Sequence, residues 1–188
     1  EGYFKKAIEL KTDYADAYLN LGKTQKDLGK FDESQINTKK AILLNPKNIA
    51  GYNNLSLILK ELGKTTEAKK NCLKALKLKN DDGQSHYILG TLFYGSKHYK
   101  KAIRHFTLSN YPESKFFLLR CFFENNEQSK LYNELDFLTK SGENNAIIGS
   151  IILQSKIKYG ITKYNPFCND PLKYVLKTDL NKKNYFNK

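Results

Sequence analysis

Arginine is nearly missing from a strongly basic chain. Of 32 Lys and Arg residues only Arg104 and Arg120 are arginine, against a formal net charge of +13 over 188 residues. Lysine is a solvated point charge, whereas the planar guanidinium fork reads guanine edges and clamps phosphate through two bonds. The charge therefore reads as the drift of a lysine- and asparagine-rich composition, and it argues against nucleic acid as a partner. The three cysteines, Cys72, Cys121 and Cys168, are odd in number and far apart. That spacing excludes a disulfide framework or a CxxC zinc site and suits reduced thiols in a cytoplasmic protein. No run of about 18 apolar residues occurs, so no membrane partner is expected. The chain has no GxSxG, no glycine-rich phosphate loop, no HExxH and no paired His–carboxylate motif. Accordingly no catalytic residue, no cofactor and no metal site is expected within these residues. Methionine is absent even from position 1, and no charged-then-apolar leader is visible; the chain reads as part of something longer.

What is present is a repeat. Laid against itself with a shift of 34 residues, Ala15–Asn48 matches Ile49–Asp82 without a gap at twelve positions. They include Tyr18/Tyr52, Asn20/Asn54, Leu21/Leu55, Gly29/Gly63, Glu33/Glu67, Asn37/Asn71 and Ala41/Ala75. A period of this length belongs to a helix–turn–helix unit that stacks on its own copies. Within each unit the apolar residues predict one helix over about 15–28 and a second over about 32–44, with Tyr18, Leu21 and Leu28 on one face and Ile36, Ala41 and Leu44 facing back. Gly22 and Ala41 are small where two helices cross closely. Gly29 suits a left-handed residue ending the first helix, and Pro46 turns the chain into the next unit.

The series Tyr18-x2-Leu21-Gly22, Ala41, Pro46 resembles the tetratricopeptide repeat (TPR). The resemblance implies an all-α, right-handed superhelical solenoid of antiparallel helix pairs, ending here in a short irregular tail. In that register residues 1–14 hold the second helix of a truncated repeat, 15–48 and 49–82 are complete repeats, and 83–112 a third one. Residues 113–160 read as a degenerate repeat with a closing helix. Six or seven helices are expected to stack, with Leu21, Leu55, Leu89, Ala41 and Ala75 buried between them. Gln25 and Ser34 are mild departures from the family. Cys72 reads as a core thiol, His86 as a packing residue, and Lys97 replaces glycine at the third repeat's internal turn.

The TPR resemblance also implies a site: a concave groove lined by the first helix of each repeat, taking a protein or peptide. By position the groove candidates are Asn20, Lys23, Asn54, Leu57, Lys60, Tyr87, Thr91 and Tyr94, with Asn53 among their neighbours. The carboxylate clamp of chaperone-binding TPR domains would need Leu19, Lys23, Asn54, Gln84 and Ile88 to match; only Asn54 does, and the clamp is rejected. Asn20 and Asn54 instead resemble two rungs of the asparagine ladder of protein O-glycosylating TPR enzymes, which Ile88 interrupts. Lysines such as Lys39, Lys70, Lys74 and Lys101 fall on the second helices and so on the opposite, convex side.

Residues 161–188 change character. Pro166 and Pro171 exclude a helix, and 172–178 could form a strand. Tyr159-Gly160 and Asn165 to Leu180 resemble a junction in large bacterial TPR proteins that continue into a 2-oxoglutarate/iron oxygenase domain. That resemblance implies a downstream domain in the same polypeptide. The function expected is thus an interaction scaffold binding an extended peptide. The alternatives are the N-terminal substrate-presenting or structural arm of a larger oxygenase or transferase, and lysine-mediated, non-specific nucleic-acid binding.

Overall fold

The residues between the helices do what their chemistry dictates. Gly29 and Gly63, at one position of two successive repeats, end their helices with φ of 74° and 71°, a left-handed backbone open to a residue without Cβ. Lys97 holds the same position in the third repeat and takes φ 58° in spite of its side chain. Asn48 and Asp82 precede the first helices of their following repeats, and each caps one: Asn48 Oδ1 accepts from the Gly51 amide at 3.1 Å and Asp82 Oδ2 from the Ser85 amide at 2.8 Å. Neither cap was expected from the repeat pattern.

The computed structural model describes residues 1–143 and 146–160, which carry ten α-helices and no strand. These are α1 (Gly2–Leu10), α2 (Ala15–Asp27), α3 (Phe31–Leu44), α4 (Ile49–Glu61), α5 (Thr65–Leu78), α6 (Gly83–Gly95), α7 (Tyr99–Leu108), α8 (Ser114–Glu124), α9 (Gln128–Lys140) and α10 (Ala146–Tyr159). The expected count of six or seven was too low. The hairpins α2–α3, α4–α5 and α6–α7 supply six, α1 one, and the segment from Ser114 three more. The expected tail, strand and junction lie at 161–188, outside the described residues.

Two compact units divide the chain, Glu1–Ser114 and the residues from Lys115 onward. In the first, α2–α3, α4–α5 and α6–α7 are hairpins, and α3 and α5 each also pack on the first helix of the following hairpin. This is the solenoid that the repeat implies. Its core contains Leu21, Ala41, Leu55, Ala75 and Leu89, as expected, together with Leu59, Ala68, Cys72 and Phe106. The tight crossing within each hairpin is between positions 34 residues apart in successive copies. A Cβ on Gly22 would come within 2.4 Å of Thr38 Oγ1, and one on Gly90 within 2.6 Å of the Phe106 ring. Ser34 is no mild departure: its buried hydroxyl donates to the Gly22 carbonyl at 2.6 Å. In the next hairpin the hydroxyl sits on the first helix, where Ser56 Oγ, with one proton to give, lies 2.8 Å from the Tyr52 carbonyl of its own helix and 3.1 Å from the Ala68 carbonyl.

Two assignments of facing were wrong. Ile36 is 67% exposed and Leu28 58%. Ile36 occupies the position that Lys70 takes in the next repeat, on the outer flank of the second helix; Leu28 is the C-cap of α2, already past the face that packs.

The second unit holds a core of its own, with Leu119, Cys121, Leu131, Leu135, Leu138, Ile148 and Ile152 all buried. Asn126, at φ 57°, takes the left-handed turn between α8 and α9. At the end of α10 the Tyr159 hydroxyl donates to the Phe123 carbonyl at 2.9 Å, and Lys158 Nζ reaches the same carbonyl at 3.2 Å. Lys115 and Glu143 form an ion pair. Cys121 is fully buried, and that burial, aided by Glu124 and Glu127, pushes its thiol up to about 12.

Candidate functional site

Groove lining is a matter of phase on the first helices. At 3.6 residues per turn, Leu57 and Lys60 lie on the face of α4 opposite to Leu55 and Leu59, which enter the core. α2, α4 and α6 neighbour one another along the unit, so equivalent positions on them form rows. Asn20 and Lys23 on α2 and Lys60 on α4 are exposed, whereas Asn54, Leu57, Tyr87, Thr91 and Tyr94 are half-buried. Among the described residues the side-chain amides of Asn20 and Asn54 bond to nothing in the protein. Lys60 pairs with Glu61 at 3.7 Å, and along the same row Lys26 pairs with Asp27 at 3.1 Å.

The third repeat does not continue the row. Ile88, in the register of Asn20 and Asn54, is buried with Leu55, Leu59, Leu89 and Leu92, and Leu57 packs against that cluster. Tyr87 stacks on Tyr111 with ring centroids 5.1 Å apart and meets Phe106 edge-on. Burial, together with Glu113 and Tyr111, raises its hydroxyl above the usual tyrosine range. The Thr91 hydroxyl donates to the Ile88 carbonyl at 2.8 Å, and Tyr94 tilts against Tyr99. Asn20, Lys23, Asn54 and Lys60 thus keep polar ends at the surface, while Leu57 packs on the core cluster and the candidates on α6 are engaged with their own hairpin.

Asn53 is not a groove residue. It is buried, and Nδ2 donates to Asp82 Oδ2 at 2.8 Å while Oδ1 lies 2.7 Å from the Ser85 hydroxyl. That hydroxyl, with one proton to give, is also 2.7 Å from Asp82 Oδ2. Burial opposes the charge on Asp82, but the bonds from Ser85 and Asn53 outweigh it and hold the carboxyl below its usual range. Repeat position fixes only the phase of Asn53; the signal of its burial in the sequence is the acidic residue, Asp82, immediately before the next first helix.

A second buried polar group sits on α2. Gln25 Nε2 donates to Glu33 Oε2 at 2.9 Å, and Asn37 Nδ2 donates to Gln25 Oε1 at 2.7 Å. Glu1 approaches Gln25 at 3.4 Å and bonds Lys30 at 3.0 Å. Between α6 and α7 the structure brings His86 and His105 together, Nδ1 to Nδ1 at 3.0 Å, a pairing of histidines that spacing alone did not suggest. His86 Nε2 lies 3.1 Å from the Asn80 carbonyl. A carbonyl only accepts, so Nε2 carries the proton; in the neutral pair His86 Nδ1 accepts and His105 Nδ1 donates. Among the described residues no three His, Cys, Asp or Glu side chains gather where they could hold a metal. No described helix is long and apolar enough to cross a membrane. Cys72 is fully buried, which pushes its thiol up to about 11.

With this geometry in view, residues 15–48 and 49–82 each match the tetratricopeptide repeat family model. No curated protein matches the sequence. Solved structures resemble the fold. YrrB, described as a TPR protein with an unusual peptide-binding site, aligns at 19% identity over 83% of this chain and 85% of its own, with a TM-score of 0.67. A tetratricopeptide repeat protein from Parabacteroides merdae ATCC 43184 aligns at 18% identity over 84% of this chain and 64% of its own, at 0.70. MamA aligns at 16% identity over 86% of this chain and 85% of its own, at 0.62.

Proposed function

We propose that this chain, in which residues 15–82 are two tetratricopeptide repeats, is a non-enzymatic scaffold that binds an extended peptide along α2, α4 and α6. The observation that carries the reading is the pair Asn20 and Asn54. The two amides stand at one repeat position on neighbouring helices, turn outward and keep their hydrogen-bonding capacity unused within the described protein. A side-chain amide both donates and accepts, so each can pair with an N–H and a C=O of an extended backbone without regard to its sequence. Lys23 and Lys60 flank the row, and the lysines Lys23, Lys26 and Lys60 are offset by Asp16, Asp27 and Glu61. A groove of balanced charge suits a peptide of mixed composition. The peptide-binding site of YrrB, a TPR protein of similar fold, agrees in kind. The same groove would serve a substrate-presenting arm of a larger oxygenase or transferase, and the reading frame beyond Lys188 tests that role.

Peptides selected from a random library on the purified chain test the groove. Replacing both Asn20 and Asn54 by Ala should weaken a selected peptide by about tenfold, since hydrogen bonds contribute roughly 0.5–1.5 kcal/mol each. Unchanged affinity for every selected peptide would exclude the ladder.

A further inference from the structure

A crevice opens between α3 and the α4–α5 hairpin, and the 34-residue period places equivalent positions at the hairpins on either side. One floor position differs every time: Gln25 on α2, Leu59 on α4, Phe93 on α6. In the first hairpin Gln25 bonds Glu33 and Asn37 of α3. In the third, Phe93 holds the position. Its ring stacks on His105 at 5.5 Å and 9°, with Lys69 and Lys101 Nζ lying 4.6 and 5.6 Å from its centroid. Leu59 does neither. It is too short to reach the outer flank and has nothing to offer Glu67 and Asn71, which stand where Glu33 and Asn37 do in the first hairpin. Asn71 Nδ2 keeps the bond to the Glu67 carbonyl at 2.9 Å that Asn37 also makes to Glu33 at 3.2 Å, and lacks the second bond that Gln25 accepts from Asn37. The crevice beside Leu59 is left as a cavity of about 320 Å³, within the range of roughly 300–1,000 Å³ that ligand sites occupy.

Its lining is two-sided in chemistry. Ile42, Leu55, Leu59 and the Tyr52 ring make an apolar floor, and Lys39, Lys70 and Lys74 stand on the rim with Glu67 the one carboxylate. Lys74 Nζ is 5.7 Å from the Tyr52 ring centroid, leaning over the mouth. Three cations against one anion, around a floor without charge, call for an occupant that is apolar at one point and acidic about it.

We propose that this crevice is a second binding site, distinct from the peptide groove and on the opposite face of the first unit, which takes one apolar side chain of an acidic peptide segment from a partner protein. The side chain fills the space that Leu59 leaves, at the position that Gln25 and Phe93 hold in the neighbouring hairpins, and carboxylates beside it meet Lys39, Lys70 and Lys74. A segment as rich in lysine as 161–188, which contains more lysines than carboxylates, does not match the charge of this rim.

The test is fluorescence anisotropy with a labelled polyglutamate peptide carrying one central phenylalanine, and with its alanine-centred counterpart. The first should bind the chain at least about tenfold more tightly than the second. Leu59→Phe, which installs the third repeat's own residue, should cut binding of the phenylalanine peptide by about tenfold or more and leave the alanine peptide unchanged. Thermal melting verifies that this variant folds. Lys70→Glu with Lys74→Glu, both on the surface of α5, should abolish binding, whereas Asn20→Ala with Asn54→Ala should leave it intact. Equal binding of the two peptides, full affinity in Leu59→Phe, or no binding by the unmodified chain would each overturn the proposal. Loss in the asparagine variant alone would move the peptide to the groove and overturn it as well.

Discussion

Asn53 on α4 donates to Asp82, 29 residues on, at 2.8 Å, and so ties the middle of one first helix to the cap of the next. Asp82 Oδ2 also accepts the Ser85 amide. One carboxylate oxygen therefore holds the helix start and the joint between two repeats. Asp82→Ala should cost about 1–3 kcal/mol in chemical denaturation, since it removes a cap and strands a buried amide. Asp82→Asn keeps an acceptor and should cost less. Because the folded carboxyl is held low, its contribution is complete above the unfolded carboxylate range and fades as pH falls through the folded value. The asparagine variant should lack that acid-side loss; an identical pH profile would remove the role assigned to the charge.

His105 should give stability an opposite origin but the same direction. Burial first, then the neighbouring His86 and Arg104, push its imidazole down to about 4, whereas an unfolded histidine titrates near about 6.5. The unfolded state takes up the proton first as pH falls. The stability contributed is thus complete above about 6.5 and is lost between there and about 4. An NMR titration should place the His105 midpoint near the lower value, and a midpoint close to the unfolded one would contradict the packing of the pair.

Gly63 and Lys97 make an internal comparison, one turn position with and without a side chain. Gly63→Ala should destabilise by about 1–2 kcal/mol, the cost of a left-handed backbone for a residue with Cβ. Lys97→Gly should be neutral or stabilising in the same assay. A loss on Lys97→Gly would mean that contacts of the lysine side chain outweigh its backbone strain.

Leu55 tests the register itself. It is 5% exposed, in one cluster with Leu59, Cys72 and Leu89, and Leu55→Ala should cost about 2–5 kcal/mol. Leu57→Ala, two residues along and only partly buried, should cost distinctly less. Equal losses would show that α4 is turned differently.

The helices were legible because their evidence in the sequence is redundant. Leu21, Leu55 and Leu89 recur at the period, Gly29 and Gly63 mark the breaks, and every second helix shows its apolar stripe. Facing at the edges of those stripes was not legible. Ile36 is as apolar as Ile42, and only the position of the neighbouring repeat decides that the first is outside. The polar interior was missed for a related reason. Gln25, Asn53 and His86 differ from their counterparts in the other repeats, so no periodicity flags them, and each finds its partner through a contact between elements. Among the groove candidates Asn20, Lys23 and Lys60 are exposed and Leu57 packs on the core cluster, while Tyr87 and Tyr94 met aromatic rings whose positions no repeat arithmetic supplies.

The exchange of a hydroxyl between hairpins bears on how such arrays can be shuffled. Ser34 crosses to Gly22 from the second helix, and Ser56 lies within reach of Ala68 from the first. A recombinant joining α4 to α3 would bring two serines to one crossing, where a Cβ on Gly22 already has no room. One joining α2 to α5 would bring glycine and alanine together and lose the bond. A duplication that copies a whole hairpin preserves the match, and one that breaks inside it does not. The heritable module is the pair of helices, even though the period can be counted from any residue.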